Sequence, residues 1–307
     1  MTDPALLGVD WGSSRLRGYV VAADGRILEA AESDTGVLTA ERSDLADALV
    51  ALLGGWRARW PDVPIVASGM VGSRTGLREV PYVSTPAGVS EVRSGMQVVA
   101  IGGMRVAIVP GLVHRTGGSV DVIRGEETIL LGCPVDVATG VAAIVLPGTH
   151  SKWAQIDESV ITDFCTFATG EFFDSMLHSG SLRDLLEAEP DHDPGAFRES
   201  VFRGLESQGL LHDYFGVRAQ VVTGATAAWG IPSRLSGLLI GYELAEALRR
   251  GLVAPKGSVA VVGDGALADR YREAIEIAGL TATVAPAVPC LARGWLLLAG
   301  ASQPKAS

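Results

Sequence analysis

One supersecondary pattern occurs twice in this chain: an apolar strand, a short turn of Gly and hydroxyl residues, and two more strands folding back as hairpins. In the first copy Leu6 to Val9 is apolar, Asp10 to Ser14 forms the turn, and Leu16 to Val21 is the second strand. Asp24-Gly25 marks a hairpin turn before a third strand, Ile27 to Ala31. A helix follows, with Ser43 as its expected N-cap and Leu45, Leu49, Leu52, Leu53 and Trp56 on one face. Pro61 ends it ahead of a strand at Ile65 to Ala67. The second copy runs through Val141 to Leu146, a turn at Pro147 to Ser151, a strand through Trp153 to Ile156, a tight turn at Asp157-Glu158-Ser159 and a strand at Val160 to Phe164. The copies share architecture, not sequence. Such a chain calls for two α/β lobes, and 307 residues, 48% of them hydrophobic, supply two of about 100–200 residues each. After Gly132 and Pro134 the boundary is expected near residue 135, giving lobes 1–135 and 136–307.

Charge and cysteine usage narrow the function classes. The 25 basic and 35 acidic residues give a net charge of −10 with no dense Lys/Arg cluster, so no nucleic-acid partner is expected. Cys133, Cys165 and Cys290 are odd in number and lack CxxC spacing, which fits a reducing, cytoplasmic setting. Met1-Thr2-Asp3-Pro4 has no basic residue ahead of its short strand, and no apolar run approaches the ~18 residues of a membrane span. Neither a signal peptide nor a membrane partner is expected.

The turns carry the chemistry. Asp10-Trp11-Gly12-Ser13-Ser14-Arg15 can aim backbone N–H groups and hydroxyls at phosphate oxygens, with the Asp10 carboxylate able to hold Mg²⁺ through water; the alternative is an ordinary hairpin turn. Gly148-Thr149-His150-Ser151-Lys152 occupies the equivalent place in the second copy, and two such turns facing one cleft would clamp a nucleotide. Arg124-Gly125-Glu126-Glu127-Thr128 opens a short helix whose two acids either accept a proton or stabilise the helix terminus. Late in the chain, Gly237, Gly241, Leu244, Ala245 and Leu248 share a helix face whose two glycines admit a close neighbour. A strand at Val259 to Val262 then meets Gly263-Asp264-Gly265-Ala266-Leu267-Ala268 and a helix with Leu267, Tyr271, Ala274, Ile275 and Ala278 on one face. The G-x-G-x-x-A pattern suggests a dinucleotide, but the ribose-binding acid expected about 20 residues on is missing, since Glu276 is the last acidic residue. A glycine turn at a helix start accepts an adenosine phosphate equally well, and tight strand-to-helix packing is the plain alternative. No Gly-Lys-Ser/Thr occurs, which excludes a P-loop. His114, His178, His192 and His212 show no metal-ligand spacing, and the acidic stretch Glu187 to Pro194 reads as a solvated loop.

Taken together, these features resemble the superfamily of actin, hexokinase-type sugar kinases and heat-shock chaperone ATPases, and more closely the 2-dehydro-3-deoxygalactonokinase family. The resemblance is carried by Gly8 to Ser14, Ser68-Gly69-Met70-Val71-Gly72-Ser73, Pro81-Tyr82, Arg124 to Thr128, Pro147 to Trp153 and Thr169-Gly170-Glu171. It implies an α/β fold of two RNase-H-like lobes with a nucleotide cleft between them and closure around the ligands. The implied reaction is ATP-dependent, Mg²⁺-assisted phosphorylation of 2-dehydro-3-deoxy-D-galactonate at its terminal hydroxyl, in galactonate degradation. Asp10 would then sit near Mg²⁺, Gly12, Ser13 and Ser14 with Gly148 to Lys152 would grip phosphates, and Gly263, Asp264 and Gly265 would flank adenosine. Glu126 or Glu127 would be the base, with Asp10 as rival. The substrate carboxylate asks for an Arg, from Arg15, Arg17, Arg74 and Arg124. Met70, Ser73 and Tyr82 would contact the sugar acid, with Thr169 and Glu171 contributing from the second lobe. Two other readings are a kinase of the gluconate-derived epimer and a regulatory ATPase without a small substrate.

Overall fold

The computed structural model describes residues 3–138, 140–186 and 192–300. Strands β1 (Pro4–Trp11), β2 (Leu16–Ala22) and β3 (Ile27–Ser33) form an antiparallel meander. Helix α1 (Leu45–Arg59) leads to β4 (Ile65–Gly69), which returns parallel to β1 with Asp10 opposite Ser68 and Trp11 opposite Gly69. After β5 (Val83–Ser84) and α2 (Val89–Gly95), strands β6 (Gln97–Ile101) and β7 (Met104–Ile108) complete a sheet of order β3-β2-β1-β4-β7-β6. Strands β8 (Leu112–Thr116) and β9 (Ser119–Ile123) join β5 in a small sheet. Two short helices, α3 (Glu126–Leu131) and α4 (Val135–Ala138), follow.

The pattern then repeats with β10 (Ala143–Leu146), β11 (Ser151–Asp157) and β12 (Val160–Phe167). Helices α5 (Thr169–His178), α6 (Pro194–Glu206), α7 (Leu210–Val222) and α8 (Ile231–Arg249) precede β13 (Ser258–Val262), α9 (Gly265–Ile277), β14 (Thr281–Ala285) and α10 (Ala287–Ala299). The second sheet has the order β12-β11-β10-β13-β14. In both sheets the first strand runs antiparallel to the second and parallel to the strand that follows the crossover. That is the RNase-H-like arrangement, present twice. The β11–β12 turn is tight enough to hold Glu158 and Ser159 at φ +45° and +68°.

The chain groups into two compact units. One takes the described residues of Met1–Ala138, Ile156–Phe164 and Pro286–Ser307, and the other Thr139–Gln155 and Cys165–Ala285. A contiguous lobe from 136 to 307 is therefore not what forms, because α10 goes back to the first unit. Packing explains this. Trp295 is fully buried, its ring lies where a Cβ on Gly8 would be, and its Nε1 donates to Ser68 Oγ at 3.1 Å. A Cβ on Gly294 would collide with the Thr128 carbonyl, so α3 and α10 meet backbone to backbone. The thiols Cys133 and Cys290 form no disulfide and lie 3.8 Å apart in the same interface.

Each unit has its own core. Val9, Leu16, Leu45, Leu49, Leu53, Trp56, Ile65 and Val106 cluster in the first, and Val145, Trp153, Phe197, Ile240, Leu244, Val261 and Tyr271 in the second. Gly237 and Gly241 do admit a close neighbour: a Cβ on either would strike the Phe197 or Val201 carbonyl of α6. Two local expectations are corrected. Asp44, not Ser43, precedes α1, and it makes no side-chain cap because its backbone is already helical, at φ −89° and ψ −14°, while Ser43 Oγ donates to its Oδ1. Leu267 is 39% exposed, since α9 begins at Gly265 and turns Ala268, Tyr271, Ala274 and Ile275 inward instead. Of the acidic stretch 187–194, residues 187–191 lie outside the described residues, while Asp193 caps α6 through Ala196 N–H. Among the described residues no helix is long and apolar enough to cross a membrane.

Candidate active site

In the first unit the candidate residues Asp10 and Glu126 lie where β1, β4 and α3 converge. Gly69 ends β4 at φ +91°, and a Cβ there would lie 2.5 Å from the Trp11 carbonyl oxygen. Gly125 precedes α3 at φ +114°, and its Cβ would come 3.2 Å from Gly69 Cα. Only glycine permits this three-way backbone approach. It places Asp10, at the end of β1, within electrostatic reach of Glu126 at the start of α3.

Asp10 has a side chain 29% exposed, so a ligand can reach it, and Arg17 Nη1 donates to its Oδ2 at 3.4 Å. Desolvation raises its pKa, Arg17 opposes this, and the Glu126 carboxylate raises it further. The turn after Asp10 closes through Gly12 N–H to the Arg15 carbonyl at 2.9 Å. The Gly12 and Ser13 carbonyls accept from Val37 and Leu38, which fixes the turn, and the Ser13 and Ser14 side chains are left exposed.

The two acids of α3 separate cleanly. Glu126 is half-buried and its Oε2 accepts Arg124 N–H at 3.0 Å. Glu127 is fully buried, with one oxygen on Gly125 N–H at 2.7 Å and the other on the Thr128 hydroxyl at 3.0 Å. Glu127 is therefore closed to a substrate and a poor base: one oxygen is taken by the Gly125 N–H of the turn and the other by the Thr128 hydroxyl. Burial, with the Glu126 charge second, pushes its pKa up from 4.5 to about 7. A carboxyl that binds its proton more tightly folded than unfolded contributes stability below pH 4.5 that is lost as pH rises through about 7. The loss amounts to about 3 kcal/mol. Urea unfolding at pH 5 and pH 8 should show wild type losing roughly that much relative to Glu127→Gln, which has no proton to release; parallel curves would refute the assignment.

The arginine candidates divide as well. Arg15 pairs with Glu32 and Asp34, and Arg17 with Asp10 and Glu32. Arg124 stacks 4.2 Å over the Tyr82 ring and donates Nη2 to the Val80 carbonyl, while its Nε and Nη1 are buried without a partner. Arg74 is exposed and makes no ion pair among the described residues. Ser73 Oγ closes its own turn by accepting Gly76 N–H, and Met70 packs against the core.

In the second unit the β10–β11 turn is pinned to the start of α5. A Cβ on Gly170 would lie 2.5 Å from the Gly148 carbonyl oxygen, and Glu171 N–H donates to the Thr149 carbonyl at 2.9 Å. His150 Nε2 sits 2.7 Å from Glu171 Oε2, and Lys152 Nζ donates to the His150 carbonyl at 2.7 Å. Lys152 is only 7% exposed, so its ammonium serves the turn. Ser151 is corrected too: it is fully buried, and its hydroxyl points inward to Glu243 Oε1 at 2.6 Å. Gly148 and Thr149 line a cavity of about 230 Å³ with Thr169, Gly170 and Phe173 of α5, Ser236, Leu239 and Ile240 of α8, and Leu267, Arg270 and Tyr271 of α9. The cavity follows the side of α9 and does not include Gly263 or Gly265. Gly265 serves the turn through its φ of +67°, with Asp264 as the residue before the helix.

Glu243 is the residue the motifs miss. It is one of two acids, with Glu246, in the otherwise apolar run Leu238 to Leu248, and an acid between Ile240 and Leu244 was the available signal.

A family profile described as 2-keto-3-deoxy-galactonokinase matches residues 10–298. The protein of Rhizobium meliloti (strain 1021) named probable 2-dehydro-3-deoxygalactonokinase is 35% identical over 278 residues, covering 89% of each chain. The 2-dehydro-3-deoxygalactonokinase of Escherichia coli (strain K12) is 34% identical over 277 residues, covering 90% of this chain and 91% of the relative. A crystal structure from Sinorhizobium meliloti, of a candidate 2-dehydro-3-deoxygalactonokinase, superposes with a TM-score of 0.84 at 34% identity over 98% of both chains. With the doubled RNase-H-like topology and an end-to-end match, this chain belongs to the 2-keto-3-deoxy-galactonokinase family.

Proposed function

We propose that the chain phosphorylates the terminal hydroxyl of 2-dehydro-3-deoxy-D-galactonate with ATP and Mg²⁺, a step of galactonate degradation. Family membership across residues 10–298 carries this reading. The residues present fit the reactants. The second-unit cavity offers apolar walls at Phe173, Leu239 and Ile240 with Ser236 and Arg270 as polar contacts, which suits a heteroaromatic base with its ribose. Gly148 has no side chain to keep a phosphate from the backbone of its turn. Mg²⁺ takes few carboxylates and keeps water and phosphate ligands, so Asp10 alone suffices, and among the described residues no cluster of three acids, His or Cys competes. When bound, ATP supplies the phosphoryl group and Mg²⁺ offsets its charge.

The chain's own residues do the rest. Glu126, reachable where Glu127 is not, takes the acceptor hydroxyl proton; Asp10 holds the metal side; Arg74 or Arg124 binds the substrate carboxylate, since Arg15 and Arg17 are already paired. A cytoplasmic setting would supply the ATP and keep the three thiols reduced.

A coupled ADP-release assay tests the reading. Turnover with Mg²⁺-ATP should depend on 2-dehydro-3-deoxygalactonate and be at least about tenfold weaker with the gluconate epimer, the size of discrimination that one misplaced hydroxyl gives. Preference for the epimer would reassign the substrate, and ADP release without any acceptor would replace the kinase by a regulatory ATPase.

A further inference from the structure

Glu243 lies on α8 and is 2% exposed. Its Oε1 accepts from Ser151 Oγ at 2.6 Å and Trp153 Nε1 at 2.7 Å; its Oε2 accepts from Tyr271 OH at 2.8 Å and from Thr169 Oγ1. A carboxylate offers about four acceptor positions, and here four donors occupy them. Buried charge tolerates the loss of a donor poorly, so each of the four is held firmly.

These donors come from three different elements. Ser151 and Trp153 begin β11 directly after the phosphate turn, Thr169 opens α5, and Tyr271 lies on α9. Thr169 and Tyr271 also line the 230 Å³ cavity, as do Ser236, Leu239 and Ile240 on the same helix as Glu243. Every wall of the cavity is thus tied to one buried charge.

We propose that Glu243 is a positioning residue for the nucleotide, setting the spacing of the β10–β11 turn, α5 and α9 around the cavity; the inference rests on the cavity being the ATP site. It also fixes what the cavity shows to its ligand. The Thr169 and Tyr271 hydroxyls are committed to Glu243, so selection on that side works by shape and apolar contact, and Ser236 and Arg270 provide the polar recognition.

ADP titrated calorimetrically onto the full chain, without sugar acid, reads this directly. Trp153→Phe removes one donor, keeps an aromatic ring in the core and leaves every residue that lines the cavity unchanged; it should weaken ADP about tenfold, as expected for a hydrogen bond to a charged group. Glu243→Gln, which sets an amide N–H₂ against two donors, should weaken it further. In the coupled assay KM for ATP should rise by a similar factor, while KM for the sugar acid stays within about twofold. Folded Trp153→Phe with wild-type ADP affinity would overturn the proposal, as would equal losses for ATP and acid. If Glu243→Gln fails to fold, Trp153→Phe still decides. Wild type that binds no ADP would instead remove the nucleotide reading of the cavity itself.

Discussion

Asp10→Asn should lower kcat about 10³-fold while leaving ADP binding and the unfolding midpoint close to wild type. The size follows from what phosphoryl transfer needs. Its transition state is loose, so positioning and charge compensation outweigh proton abstraction, and a residue on the metal side costs more to lose than a base. Glu126→Gln is therefore expected to cost less, about 10²-fold. Stability is spared because the Asp10–Arg17 pair is long, at 3.4 Å, and partly exposed on both sides, where ion pairs contribute little. ADP binding is spared because the cavity belongs to the other unit. Since burial and Glu126 raise the Asp10 pKa despite Arg17, the acid limb of kcat/KM should lie above the ordinary value of 3.8. Steady-state rates for the two variants check the ranking: if Glu126→Gln loses more than Asp10→Asn, the two roles must be exchanged.

Much of this site was readable in one dimension. Strand-turn-strand patterning located both turns, because a buried strand ending in Gly, Ser and Asp leaves few other structures open. Gly237 and Gly241 predicted a close helix contact, and α6 supplies it. The difference between Glu126 and Glu127 was not readable. Adjacent helix residues point about 100° apart, so which one enters the core depends on the neighbours of α3, chiefly α10 from the far end of the chain. No pattern in α10 names its partner, since an apolar helix suits either sheet. Glu243 was hidden for a related reason. Three of its donors, Ser151, Trp153 and Thr169, lie 92, 90 and 74 residues away, and hydroxyls in turns look like solvent-facing groups until the carboxylate they serve is placed. Ser151 was misread on those grounds.

Gly69→Ala should destabilise the chain by about 3 kcal/mol or more and lower kcat in whatever fraction stays folded. Gly69 has φ +91° and ψ −152°, a region almost closed to residues with a Cβ. Strain is only the first cost. The added methyl would lie 2.5 Å from the Trp11 carbonyl, and Gly125 already approaches from the other side with its own positive φ. Neither is a flexible side chain that could swing away; both are backbone. Relief must come from moving the end of β4 off β1 or off the start of α3, and either shift separates Asp10 from Glu126. Stability and rate should therefore fall together here, unlike at Asp10, where only the rate falls. Gly55→Ala is the matched control. It lies inside α1 with nothing within 4 Å of a new Cβ, so the same change should stabilise by about 0.5–1 kcal/mol through helix propensity. Urea unfolding of the pair measures the contrast, and effects of the same sign would mean that the convergence of β1, β4 and α3 does not hold Asp10 and Glu126, the proposed catalytic carboxylates, in place.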